Sequence, residues 1–129
     1  MSTERTIIRR TVPRSAIIEA IRSASYALTP PEIHVAAKRR YPQVGIATVY
    51  RAVHALIQSG EVAEVNLPGE TSTRYEIAEK PHHHHFRCQR CFRLFDLPGC
   101  VPLNSLLPSG FKMTRHDIVL YGFCPQCAN

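Results

Sequence analysis

Two Cys-x-x-Cys pairs, Cys88 with Cys91 and Cys124 with Cys127, constrain this chain more than any other feature. Four thiols in two tight pairs form the arrangement that tetrahedral zinc takes in closed structural sites. The 32 residues between the pairs exceed the spacing of a plain zinc ribbon, so the site has to tie together elements distant in sequence. Metal there works as a clasp. The competing reading of either pair alone is a redox dithiol; two pairs together favour structural zinc. A clasp also suits the length, because 129 residues make one ordinary domain or two small ones, and a small domain buries little apolar surface by itself. The opening "MSTERTIIRR" has no apolar signal segment, and no apolar run approaches the roughly 18 residues of a membrane span. We therefore expect a cytoplasmic protein without membrane contact, in which thiols stay reduced and paired cysteines hold metal rather than form disulfides. Cys100 is left over, and an unpaired cysteine is by default a small buried hydrophobe.

Directly before the first pair stands "HHHH", His82 to His85. An expression tag belongs at a terminus, and this run lies two thirds of the way along, so it is native sequence. If residues 82–86 are extended, His82 and His84 point one way and His83 and His85 the other. One strand can then feed two metal sites. A solvated patch is the usual reading of histidine, but four beside a thiolate site favour coordination.

The net charge of +6 is unevenly spread. Residues 1–60 carry nine Lys or Arg against three Glu, whereas residues 61–129 balance seven against seven. The basic half suits a polyanion such as nucleic acid; a merely soluble basic surface is the alternative. That half also reads as three helices. From Pro13, "PRSAIIEAIRSASYA" sets Ile17, Ile18, Ile21 and Ala24 at helical spacing. "LTPPEIHVAAKRRYP" offers Thr29 as N-cap and runs to basic residues before Pro42. "IATVYRAVHALIQSG" puts Ile46, Val49, Val53, Leu56 and Ile57 on one face and ends at Gly60. Then "EVAEVNL" and "TSTRYEI", separated by "PGE", read as a hairpin. Three helices and a hairpin predict a winged helix over 1–79. After a linker near residues 79–81, residues 82–129 predict a small α+β domain with strand-like "RLFDL" and "FKMTRHDIVLYGF" around a brief "VPLNSLL".

Together "GIATVYRAVHAL", "PHHHHFRCQRC" and "HDIVLYGFCPQC" resemble the Fur family of metal-responsive transcriptional repressors, which includes ferric uptake, zinc uptake and peroxide regulators. The resemblance spans about Thr11 to Cys127. It implies an α+β fold with an N-terminal winged-helix domain and a C-terminal dimerisation domain, and a homodimer that binds double-stranded operator DNA when metal-loaded. It makes Ile46 to Ser59 the recognition helix, with Thr48, Tyr50 and Arg51 at DNA-meeting positions and Arg9 and Arg10 near the minor groove. Arg51 lies off the apolar stripe, free to reach a guanine edge or a phosphate, whereas Tyr50 on its flank has packing as an alternative role. Solvated charge is the alternative for the two arginines.

The resemblance further implies an interdomain regulatory site of Glu76, His83 and His85 for Zn(2+), Fe(2+) or Mn(2+), completed by Asp96, since the family's histidine from the DNA-binding domain is Ala27 here. It implies a second site of His82, His84 and His116 in the dimerisation domain. The family's Glu there is missing, because no acidic residue stands between Asp96 and Asp117, and Cys100 is the strong ligand left in that stretch. A site of His and Cys is softer than one of His and Glu. The expected function is thus a metal-dependent repressor of metal uptake or homeostasis genes and not an enzyme, since four cysteines close a zinc site that hydrolysis needs open. The alternatives are a peroxide-sensing repressor of the same family, or a metal buffer or metallochaperone, which needs no recognition helix.

Overall fold

A computed structural model describes the backbone of residues 2–128 and the side chains of residues 13–128. The chain divides into two compact units, Met1–Glu79 and Lys80–Asn129. Among the described residues, no helix is long and apolar enough to cross a membrane.

The first unit packs three helices against a hairpin. Helix α1 spans Ser2–Ser23 and carries Pro13 inside it, although the sequence suggested a start at that proline. The ring forgoes one backbone hydrogen bond, which the surrounding turns tolerate. The side chains of Arg9 and Arg10 lie outside the described residues. A two-residue extended segment, β1 (Tyr26–Ala27), leads into α2 (Pro30–Ala37). Thr29 caps α2 reciprocally: its hydroxyl accepts from Glu32 N–H, and its own N–H donates 2.9 Å to Glu32 Oε1. The helix stops at Ala37, short of the Pro42 boundary, because the next turn tightens; Arg39 and Arg40 N–H donate to the carbonyls three residues back.

Helix α3 (Ile46–Gln58) ends in a Schellman turn, with Gly60 at φ 81° and Glu61 N–H donating 3.0 Å to Leu56 O. It buries Val49, Val53 and Leu56 against Ile17, Ile21 and Ile33. Ile46, expected on that face, is 40 % exposed because it begins the helix, where the chain turns outward. Strands β2 (Val62–Val65) and β3 (Arg74–Ile77) pair antiparallel, Ala63 opposite Glu76. They are shorter than the β-rich runs in the sequence, and the loop 66–73 between them forms the wing. Leu28 and Tyr75 exchange both backbone hydrogen bonds at 2.8 and 3.0 Å, which fixes the hairpin to the segment before α2.

In the second unit β4 (His83–Cys88) lies between β5 (Leu94–Pro98), antiparallel, and β6 (Val119–Gly122), parallel. A parallel return needs a long connection, here residues 99–118, and the helical part of it is one 3-10 turn, Asn104–Leu106. Prolines at 102 and 108 bracket that turn and leave no room for an α-helix. The expected long last strand is regular over Val119–Gly122 alone. Phe86 covers Gly122 so closely that a Cβ there would meet its ring at 3.1 Å, so glycine sets the spacing of β4 and β6. The buried side chains of this unit are few among the described residues, Leu94, Cys88, Cys124 and His84, so apolar burial by itself holds it weakly.

Candidate metal centres and nucleic-acid interface

The sulfurs of Cys88, Cys91, Cys124 and Cys127 lie within 4.8 Å of one another. Zn–S bonds of about 2.3 Å place the sulfurs of a tetrahedral site roughly 3.8 Å apart, and Cys91 Sγ stands 3.8 Å from Cys124 Sγ. Local backbone geometry explains the fit. After β4 the chain folds back through residues 88–91, and Phe92, at φ 65°, closes the turn by donating 3.1 Å to Cys88 O. That conformation is costly for a non-glycine residue, and Arg87 stacks 5.0 Å above the Phe92 ring. The second pair forms a matching turn, Cys127 N–H donating 2.9 Å to Cys124 O.

Electrostatics in this cluster call for a cation. Burial works against the Cys88 thiolate, yet the backbone N–H groups of Cys124, Cys91 and Arg90, with the Cys91 thiol, point at its sulfur and bring its pKa down to about 5. Cys127 is pushed up to about 12, first by burial and then by the neighbouring sulfurs. One thiolate is welcomed and the next is resisted; a divalent ion removes the resistance.

Alternation along β4 separates the histidines as the extended run requires. His82, His84, Cys100 and His116 bring four donor atoms within 4.8 Å of one another, wholly inside the second unit. His82 Nε2 lies 3.1 Å from both His84 Nε2 and His116 Nε2, and Cys100 Sγ lies 3.1 Å from His84 Nε2 and 3.0 Å from His116 Nε2. Burial, then His82 and His116, hold His84 below the ordinary histidine pKa, which favours the neutral, ligating ring. Cys100 is exposed, contrary to the default of a buried apolar thiol.

On the other face, donor atoms of His83, His85 and Asp96 also converge within 4.8 Å. Asp96 sits opposite His85 in the β4–β5 ladder, its Oδ1 3.7 Å from His85 Nε2. That oxygen is buried without a hydrogen bond, an expensive state that a cation would relieve. The other oxygen pairs with the ammonium of Lys80. Lys80 was not singled out from sequence, although it stands two positions before the histidine run. Glu76 belongs to the first unit, buried on β3. Ala27, where a family histidine would stand, is also buried and supplies no donor.

On the first unit, Arg51 is exposed and donates 3.2 Å to Thr48 Oγ1. Tyr50 is 54 % exposed, so packing does not account for it. Beside them runs a groove of 710 Å³ lined by Arg14, Gln43, Thr48 and Arg51 among others. Arg14 and Gln43 were not singled out from sequence; Arg14 lay on the polar face of the first helix. It pairs with Glu61 at 2.7 Å, which ties α1 to the end of α3. His34, whose Nε2 lies 2.9 Å from Val44 O, belongs to none of the metal-donor clusters among the described residues.

The sequence profile of the ferric uptake regulator family matches residues 5–121. The ferric uptake regulation protein of Campylobacter jejuni is 32% identical over 128 residues, covering 95% of this chain and 81% of that protein. The peroxide operon regulator of Bacillus subtilis is 30% identical over 125 residues, covering 94% and 85%. Among solved structures, the ferric uptake regulator Fur of Helicobacter pylori shares the fold at TM-score 0.71 and 22% identity, covering 99% of this chain and 91% of its own. A zinc-bound manganese uptake regulator does so at 0.74 and 21%, covering 87% of each.

Proposed function

This chain belongs to the ferric uptake regulator family, and from that premise we propose that it represses metal uptake or homeostasis genes, binding operator DNA as a homodimer when metal-loaded. The observation that carries this reading is β4, whose alternate histidines enter two separate donor clusters beside a four-cysteine cluster. A metal buffer would need no exposed Tyr50 and Arg51 on a helix packed by its opposite face.

In this reading Cys88, Cys91, Cys124 and Cys127 hold structural zinc, which staples a sheet with little core of its own. His83, His85 and Asp96, joined by Glu76 of the wing, hold the regulatory ion, zinc or iron, with manganese acceptable to the same donors. An ion held by residues of both units supplies a crosslink and so biases the angle between them. Because a ligand shifts an equilibrium by its differential affinity for the two states, operator DNA in turn tightens metal binding. Thr48, Tyr50 and Arg51 of α3 enter the major groove, and Arg9 and Arg10 lie near the minor groove. The protein works in the cytoplasm.

An electrophoretic shift with metal, with chelator and with metal restored tests this. Binding is expected in the first and third conditions, and equal binding in all three overturns metal dependence. A second reading, peroxide-responsive repression, draws support from the likeness to the peroxide operon regulator. It predicts that iron-loaded protein loses the operator after hydrogen peroxide treatment, with oxygen added to His83 or His85 by mass spectrometry.

A further inference from the structure

We propose that Arg90 latches the two cysteine turns together and sets how slowly the four-cysteine cluster gives up its metal, by holding the Cys124–Cys127 turn closed. This rests on the reading of those cysteines as a zinc site, not on the DNA-binding reading.

The two turns are unequally supported. Cys88 and Cys91 lie where β4 turns into β5, so paired strands fix both ends of their turn. Cys124 and Cys127 follow β6, which ends at Gly122, and no strand lies beyond it among the described residues. Within residues 123–128 the one buried side chain is Cys124, itself a candidate ligand. Local opening begins where few buried contacts and few paired strands hold the chain, so the second turn is the end of the cluster that opens first.

Arg90 stands where it opposes that opening. It lies between Cys88 and Cys91, and its backbone N–H points at the Cys88 sulfur. Its guanidinium reaches the second turn twice: Nη1 donates 2.6 Å to Cys127 O, and Cζ lies 5.0 Å from the centroid of the Phe123 ring. Phe123 and Cys127 bracket the turn, whose own closing bond runs 2.9 Å from Cys127 N–H to Cys124 O. One planar cation thus grips both ends. Arginine suits the task because the same group donates at its edge and stacks on its face. Arg93 adds a further tie, its Nη1 donating 3.2 Å to Gln126 Oε1. An ion bound by four sulfurs leaves ligand by ligand, and one still held by Cys88 and Cys91 is recaptured when the second turn recloses. The latch therefore slows loss of the ion without touching its donors.

The test uses full-length, zinc-loaded protein mixed with an excess of a chromogenic chelator. Arg90→Ala should release zinc about tenfold faster than wild type, the size expected when an exposed charge-assisted hydrogen bond and a cation–π contact are lost together. Arg90→Lys keeps a donor and loses the planar stack, so its rate should fall between. General loosening of the unit would also speed release, and a site-resolved readout separates the two. Brief alkylation of the loaded protein with N-ethylmaleimide, followed by mass spectrometry, should label Cys127 and Cys124 ahead of Cys88 and Cys91 in Arg90→Ala. Equal labelling of all four, or release at the wild-type rate, overturns the proposal. Where Arg90→Ala purifies without zinc, Arg90→Lys and Phe123→Leu take its place, with the same labelling order expected and equal labelling again decisive against the latch. Absence of zinc from wild-type protein overturns the zinc reading and the latch together, whereas zinc present with unchanged release in Arg90→Ala overturns the latch alone.

Discussion

Asp96 shows how much one side chain could add to a candidate metal site. Its Oδ1 is buried without a hydrogen bond while Oδ2 carries Lys80, so the ammonium occupies half of a carboxylate that an incoming ion would use. Exchanging a tethered cation for a metal costs the ion pair, about 0.2–1 kcal/mol for a pair with this much solvent contact. Lys80→Gln should therefore tighten metal binding at His83, His85 and Asp96 up to roughly fivefold. Competition against a calibrated chelator measures this, and unchanged or weaker affinity would show that Lys80 does not compete. The histidines were legible in sequence because strand alternation has a strict period of two. Lys80 was not, because its partner lies sixteen positions away and pairing across a ladder is a property of register. Tyr50 was half legible: periodicity placed it at the edge of the apolar stripe, and the angle at which α3 packs decided its exposure.

At the scale of elements, α2 and the end of α3 followed their local signals, since a capping box and an αL glycine act within a few residues. Thr29→Ala removes the hydroxyl half of the box and leaves the backbone N–H bond to Glu32, and should lower the stability of the first unit by about 1 kcal/mol, with a range of about 0.5–2. Thermal unfolding measures the loss, and a fall well below that range would mean Pro30 and Pro31 set the helix start unaided. The start of α1 and the length of β6 were not legible, because a proline is compatible with both the first turn and an interior kink, and β6 depends on β4 beside it. Strand β4 carries the sharpest prediction. Replacing His83 and His85 with Ala should abolish metal-dependent operator binding, whereas replacing His82 and His84 should chiefly reduce thermal stability. The reverse pattern, seen by mobility shift and calorimetry, would exchange the two faces.

For the whole molecule, the second unit leaves Leu106, Phe111, Leu120, Tyr121 and Phe123 exposed around a sheet with few buried side chains. Apolar surface on that scale suits a second copy of the chain, which also provides the two-fold symmetry an inverted-repeat operator needs. Cys91→Ser should disorder this unit and leave the protein monomeric in analytical ultracentrifugation; a dimer that persists without zinc would separate association from the clasp. Across salt concentrations, operator affinity should fall steeply as phosphate contacts release counterions. Arg51→Ala should weaken the operator more than random DNA, and equal losses would reduce Arg51 to a phosphate contact.

The order of β4 is set from its downstream end, where Cys88 enters the four-sulfur turn and Phe86 lies against Gly122. Gain or loss of one residue in the histidine run ordinarily reverses the faces of a strand. Here the histidines are counted back from Cys88, so whichever copy is lost, position 82 empties and Pro81 moves into it. A gain adds a histidine before the strand and leaves positions 82 to 85 as they were. Loss of a histidine from this run would therefore remove a donor from the cluster containing Cys100 while sparing the positions of His83 and His85.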